Sequence, residues 1–225
     1  MQSQSLLYKI RLDMIIAFDT YYYNGFSYTV GGVFNSWGDS DVCYYVTSRR
    51  DCIDAEYEPG ELYKRELPCI MQCLSLIDVE NIDTIIIDGF VWLSEDGKTL
   101  VKGLGARLDE AIQRKYCTTK DIIGIAKNKY HVDIPYCEEV TRGLESNKPL
   151  YVTCNNTDYT KHFSTLVSRM HGDYRIPTII KAVDTKTREL KYHGEDSYDD
   201  ENDSSSPLDV NIGTFEEFLA ESEVK

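Results

Sequence analysis

The chain has 225 residues, 42% hydrophobic and 12% aromatic, with a formal net charge of −14. That length and composition suit one packed domain with some extra chain and exclude disorder throughout. No stretch approaches the roughly 20 apolar residues of a membrane helix, and residues 1–12 carry charges rather than a secretory signal's apolar run, so the expected setting is cytoplasmic with no membrane partner.

In chain order, residues 14–19 (MIIAFD) read as a short apolar strand. Asn24-Gly25 is a hairpin turn signal, and residues 26–34 follow as a second strand. A polar turn around Gly38 leads to a third, residues 42–47, which completes an antiparallel meander. The pattern then alternates helix and strand. Residues 61–77 place Leu62, Cys69, Ile70, Cys73, Leu74 and Ile77 at helical spacing, despite Pro68 in the first two turns. Residues 84–87 are all β-branched and run into Asp88-Gly89, as a buried parallel strand does. A helix is expected over 105–116, and buried strands over 122–126 and 150–153. Asp158 reads as the N-cap of a helix to Met170 that His171-Gly172 ends. Residues 177–190 open with Pro177 at the first helical position.

Beyond Leu190 the composition shifts to Asp, Glu, Ser and Asn. Residues 191–225 hold eleven acids against Lys191 and Lys225, a net −9 that leaves −5 for residues 1–190. The expected division is a domain over 1–190 and an acidic, largely disordered tail over 191–225. A short terminal helix over 214–221 would carry Phe215, Phe218 and Leu219 on one side, a possible protein-partner element. The mildly acidic body does not bind nucleic acid tightly by charge alone, because phosphate contacts need Lys and Arg. The seven cysteines include no CxxC pair, and Cys69 and Cys73 lie one helical turn apart. That is reduced thiol usage in a core, not a disulfide or zinc framework.

A three-strand meander followed by helix–strand units is the order of a ribonuclease H-like α/β fold, a mixed sheet with helices on both faces. In that order the first strand and the strand after the first helix lie parallel and adjacent. Their C-terminal ends then carry Asp19 and Asp88 as neighbours, where open α/β sheets bind their ligands. Two carboxylates held about 4 Å apart repel by roughly 4 kcal/mol at moderate dielectric. A fold tolerates that when a cation fills the gap, and Mg²⁺ prefers such hard oxygen ligands.

The stretch YEPGELYKRELP (residues 57–68) resembles the endonuclease V signature of Tyr-x-Pro-Gly followed by Arg-Glu-x-Pro. Asp19, Glu66 and Asp88-Gly89 fall at that family's catalytic aspartate, glutamate and Val-Asp-Gly element. IIGIAK (residues 122–127) is similar to its Ile-Gly-Val-Ala-Lys strand, and KPLYVT (148–153) and YRIP (174–177) match two further segments in order. The resemblance covers roughly residues 13–190. It implies a nuclease that cuts a nucleic-acid strand one phosphodiester 3′ of hypoxanthine. Asp19, Glu66 and Asp88 would hold Mg²⁺ (Mn²⁺ substituting), and Asp184 would complete or orient that shell. Lys127 would face the phosphate, Tyr57 would belong to the wedge that stabilises the gap left by an extruded base, and Pro59-Gly60 would form its turn. The backbone at Gly60 and Gly89 would approach that base closely.

Two departures bear on the substrate. Acidic Glu56 and Glu58 flank Tyr57, where the family has proline and an apolar residue. After Asp88-Gly89 the chain continues Phe90, Val91, Trp92 rather than with the family's basic loop. Phe90 and Trp92 either stack on a base or fill the core. Three functions follow: a hypoxanthine-directed DNA endonuclease, an inosine-directed or single-strand RNA nuclease, and a non-catalytic binding module on the same fold.

Overall fold

The computed structural model describes residues 14–51, 62–144 and 147–193. Tyr57, Pro59 and Gly60 lie outside the described residues, as does the tail beyond His193.

Strand β1 (Met14–Tyr23) is buried along its first half and turns at Asn24-Gly25, whose φ values of 47° and 76° suit Asn and Gly. Strands β2 (Phe26–Phe34) and β3 (Tyr44–Asp51) complete the antiparallel meander. β1 continues past Asp19, where the apolar run ends, because Tyr23 still pairs with Phe26 across the hairpin. β3 likewise starts at Tyr44 and runs to Asp51, since its register against β2 holds from Val33↔Tyr44 to Phe26↔Asp51.

Helix α1 (Leu62–Leu74) passes through Pro68 and stops short of the expected Ile77. It rests on the meander through buried Cys69 and Cys73, whose thiols reach Ser27 Oγ at 3.2 Å and Ser48 Oγ at 3.2 Å. Strand β4 (Ile82–Asp88) follows, then a short hairpin of β5 (Trp92–Leu93) and β6 (Val101–Lys102), and helix α2 (Leu104–Tyr116). Strands β7 (Asp121–Ala126), β8 (Glu138–Val140) and β9 (Leu150–Cys154) lead to helices α3 (Thr160–Ser168) and α4 (Thr178–His193). Asp158 does not cap α3. It sits in a 3-10 turn ahead of the helix, and the Asn156 side chain accepts its amide hydrogen instead.

The main sheet has seven strands in the order β3-β2-β1-β4-β7-β9-β8. Its centre, β1-β4-β7, is parallel, and every other pairing is antiparallel. This is the expected ribonuclease H-like mixed sheet. Side chains alternate across it, so successive residues face opposite layers. Ile16, Ile85, Ile87 and Ile122 pack with Ile70, Leu104 and Leu108 of α1 and α2. Ile15, Ala17, Ile86, Ile123 and Ile125 pack with Phe163, Val167, Ile179 and Val183 of α3 and α4. Each fully buried isoleucine contributes about 1.5–3 kcal/mol relative to exposure, so this two-faced core sets the register of the centre. Among the described residues no helix is long and apolar enough to cross a membrane.

Candidate active site

The parallel centre places the acids. Phe18 of β1 pairs with Ile87 of β4, so Asp19 and Asp88 are the next residues on adjacent strands, whose spacing is about 4.8 Å. Asp88 in turn aligns with Ile125 of β7, two residues before Lys127. By the alternation, Asp19 follows Ala17, Asp88 follows Ile86 and Lys127 follows Ile125, all on the α4 face. Helix α4 closes that side and brings Asp184. A cleft lined by Asp19, Asp88, Lys127 and Asp184, with Pro177 and Ile180 at its wall, results.

Glu66 arrives from α1, on the opposite side of the sheet edge, and does not line that cleft. Its two main repulsive neighbours are nevertheless Asp88 and Asp19. Burial first, then those two charges, push its carboxyl up to about 8. Burial also raises Asp19, helped by Asp88 and Asp184 and opposed by a hydrogen bond from Thr187. These shifts are what carboxylates gathered without enough counter-charge must show.

The counter-charge present is Lys127, whose Nζ lies 2.7 Å from Asp88 Oδ2. Burial opposes the ammonium, but the contact with Asp88 outweighs it and the pKa rises. Asp184 differs from its neighbours. Burial pushes its carboxyl up, but Arg188 at 2.9 Å and Lys181 at 2.7 Å more than offset this and hold it below the usual range. It is ionised and already paired, which suits orienting a shell better than founding one.

Thr187 carried no signal in the sequence. It is fully buried on α4, and its Oγ1 lies 2.7 Å from Asp19 Oδ2 and 2.6 Å from the Val183 carbonyl. One hydroxyl proton cannot serve both acceptors. The Thr187 donation to Asp19 opposes the rise that burial causes in that carboxyl. Only the register of α4 against β1 reveals this pair, from residues far apart in sequence.

Gly89 has φ +114°, which only glycine adopts readily, and a Cβ there would meet open space. The Gly89 backbone is therefore open to close approach. Gly124 serves the same loop from beneath, since a Cβ on it would lie 2.6 Å from the Gly89 carbonyl oxygen. Of the two loop aromatics, Trp92 fills the core, with Nε1 donating to the Cys154 carbonyl at 2.9 Å. Phe90 stays partly exposed.

The donor set suits a hard divalent cation: carboxylate oxygens from β1, β4 and α1, those of Asp19 and Glu66 raised in pKa by burial and by acidic neighbours, with a fourth on α4. Among the described residues no three acidic, histidine or cysteine side chains are grouped closely enough to hold a metal ion. In this arrangement Lys127 neutralises Asp88, and Thr187 holds Asp19.

No family model matches the sequence, and no curated protein matches it at a significant level. Among solved structures the chain is similar to endonuclease V from Bacillus subtilis (21% identity, 83% of each chain, TM-score 0.54). It is also similar to endonuclease V from Streptomyces avermitilis (18% identity, 82% of this chain and 84% of that one, TM-score 0.56). Human ENDOV gives a TM-score of 0.62 at 16% identity over 82% of this chain and 86% of that one. The chain has the fold of these endonuclease V structures, as the resemblance implies.

Proposed function

We propose that the chain is a divalent-metal-dependent endonuclease of the endonuclease V type, cutting a phosphodiester near a hypoxanthine base in nucleic-acid repair. The observation that carries this reading is the meeting of Asp19, Asp88, Lys127 and Asp184 in one cleft, with Glu66 coupled to Asp19 and Asp88 across the strand ends. In this fold, that edge is where ligands bind.

Asp19, Glu66 and Asp88 would hold Mg²⁺, or Mn²⁺ in its place. Bound there, the cation would lower the pKa of a water and stabilise charge developing on phosphorus. The cation would supply the counter-charge that the raised pKa values of Asp19 and Glu66 call for. Lys127, next to Asp88, would present its ammonium to a phosphate oxygen. Asp184, kept ionised by Lys181 and Arg188, would orient the shell from α4. The open backbone at Gly89 would accept an extruded base closely, and the resemblance gives Tyr57 a part in the wedge and Pro59 and Gly60 a part in nucleic-acid binding.

The experiment is incision of deoxyinosine- and inosine-containing oligonucleotides by the full chain, in Mg²⁺ and in EDTA. Metal-dependent cutting next to the modified base is expected, and Asp88→Asn should abolish it while leaving the fold intact. Stronger cutting of the inosine RNA would favour the single-strand RNA reading. No cutting of either substrate in Mg²⁺ or Mn²⁺ would favour a non-catalytic module.

A further inference from the structure

Residues 148–153 and 174–177 take no part in the chemistry proposed above, yet both meet Lys127 at one side chain. Strand β7 ends at Ala126, which pairs with Tyr151 of β9, so Lys127 lies one residue beyond the ladder that fixes the strand. Arg175 takes over at that point. Its Nη2 donates to the Lys127 carbonyl and, at 2.8 Å, to the carbonyl of Pro149, the residue before β9 begins at Leu150. One nitrogen with two hydrogens thus staples the end of β7 to the start of β9. At the other end of the same lysine, the ammonium lies 2.7 Å from Asp88.

Arg175 is itself held in place. It lies in the loop between α3 and α4, and buried Arg142, from the segment after β8, reaches into that loop. Arg142 Nη2 donates to the Met170 carbonyl and, at 3.0 Å, to the Gly172 carbonyl, while its Nη1 donates to the Arg175 carbonyl at 3.4 Å. A buried guanidinium is costly unless it is bonded in this way, and what these bonds secure is the path of the loop. Gly143, beside Arg142, has φ +88°, and a Cβ there would lie 2.7 Å from the Arg175 amide nitrogen, so this backbone runs closely against the loop. The clamp has two layers: Arg142 fixes the loop's backbone, and the loop presents Arg175 to Lys127.

From this geometry we infer that Arg175 is a positioning residue for Lys127, fixing its backbone so that the ammonium stays at the strand ends, aimed at a phosphate oxygen of the substrate. The phosphate target rests on the nuclease reading above. A lysine carries its charge on a flexible four-carbon stem, so any swing at its Cα is passed on to the ammonium. A misplaced charge loses much of its value to a transition state, where a shift of about 1 Å costs up to a hundredfold in rate. Arginine suits the task because its planar fork presents donors at fixed angles, which an ammonium does not. Among the described residues Arg175 bonds to carbonyls alone. Helix α4 is anchored separately, through Ile179 and Val183 in the core, so the effect of Arg175 on the cleft runs through Lys127.

The test compares the full chain with Arg175→Met, which keeps the stem and removes the donors. Lysines of both are labelled with an amine-reactive ester in the absence of metal and substrate, and each site is read by peptide mass spectrometry. Lys127 should label severalfold faster in the variant, with Lys129 and Lys186 unchanged. On the oligonucleotide that the wild type cuts, kcat and kcat/KM should fall alike, by about 10–100-fold, as loss of a transition-state interaction does. Mn²⁺ affinity should stay at the wild-type value. Arg175→Lys, which keeps the charge and loses the fork, should move labelling and rates in the same direction, and it decides the matter if the methionine variant does not fold. Unchanged Lys127 labelling, faster labelling of all three lysines, a wild-type kcat, or a loss of Mn²⁺ affinity equal to the loss of rate overturns the role of Arg175. A wild type that cuts nothing removes the nuclease reading, and Lys127 labelling then decides the positioning alone.

Discussion

Glu66 keeps its proton up to about pH 8 in the folded chain, whereas an ordinary glutamate gives it up near 4.5. Between those values the native state holds a proton that the unfolded state has lost. Stability is therefore fully present below about 4.5 and falls as pH rises towards 8, by at most about 1.4 kcal/mol per pH unit. Asp19, also raised, acts in the same direction. Thermal unfolding in EDTA should show the melting temperature dropping from pH 5 to pH 8, and Glu66→Gln should flatten that slope. A wild-type slope in the variant would mean that Glu66 is not the group held protonated. Thr187 donates to Asp19, so Thr187→Val should keep the fold and weaken Mn²⁺ binding about 10–100-fold, as loss of a ligand's hydrogen-bond partner does. Mn²⁺ titration followed by paramagnetic resonance reads this, and unchanged affinity would remove Thr187 from the site. Of these two residues only Glu66 was legible in the sequence. It stands in a spaced motif, while a threonine on a helix carries no meaning until its strand partner is known.

At the scale of elements, the loop after β4 is seated on β7 through Gly124. A methyl group there would lie 2.6 Å from the Gly89 carbonyl oxygen and 2.8 Å from the Val91 amide nitrogen, both backbone atoms that cannot swing aside. Gly124→Ala should cost about 1–3 kcal/mol, as overpacking does, and should displace Asp88 enough to lower cleavage. Urea unfolding and an incision assay on the same protein check both. Wild-type values in both would show that the loop does not depend on this contact. The strands that carry the site were legible because long apolar runs at a sheet's centre announce themselves. β5, β6 and β8, at two or three residues each, are too short for any periodicity. β8 was therefore missed. The fates of Phe90 and Trp92 were also open in sequence, since both stacking and burial suit an aromatic. Only the Trp92–Cys154 hydrogen bond, across 62 positions, assigns Trp92 to the core.

At the scale of the molecule, the charge is divided between a body of −5 and a tail of −9. The proposed boundary at 190 falls inside α4, which runs to His193, so the natural cut is after His193. A chain ending there should fold and should bind and cut nucleic acid as well as the full chain, or better, at low salt. The difference should shrink towards 0.15 M salt, where the Debye length is about 8 Å. An insoluble truncation would show instead that the tail completes the core. On the proposed function, the carboxylates at the strand ends would hold a divalent cation. The most direct test is thermal unfolding of the wild type and of Asp88→Asn across a Mn²⁺ titration, with Ca²⁺ as the control for general screening. A ligand at ten times its dissociation constant stabilises by about 1.4 kcal/mol, which for this size is roughly 3–6 °C. A saturable rise of that order is expected in the wild type and its loss in Asp88→Asn; a wild-type melting temperature indifferent to Mn²⁺, or a rise that Asp88→Asn retains, would mean that these carboxylates hold no cation.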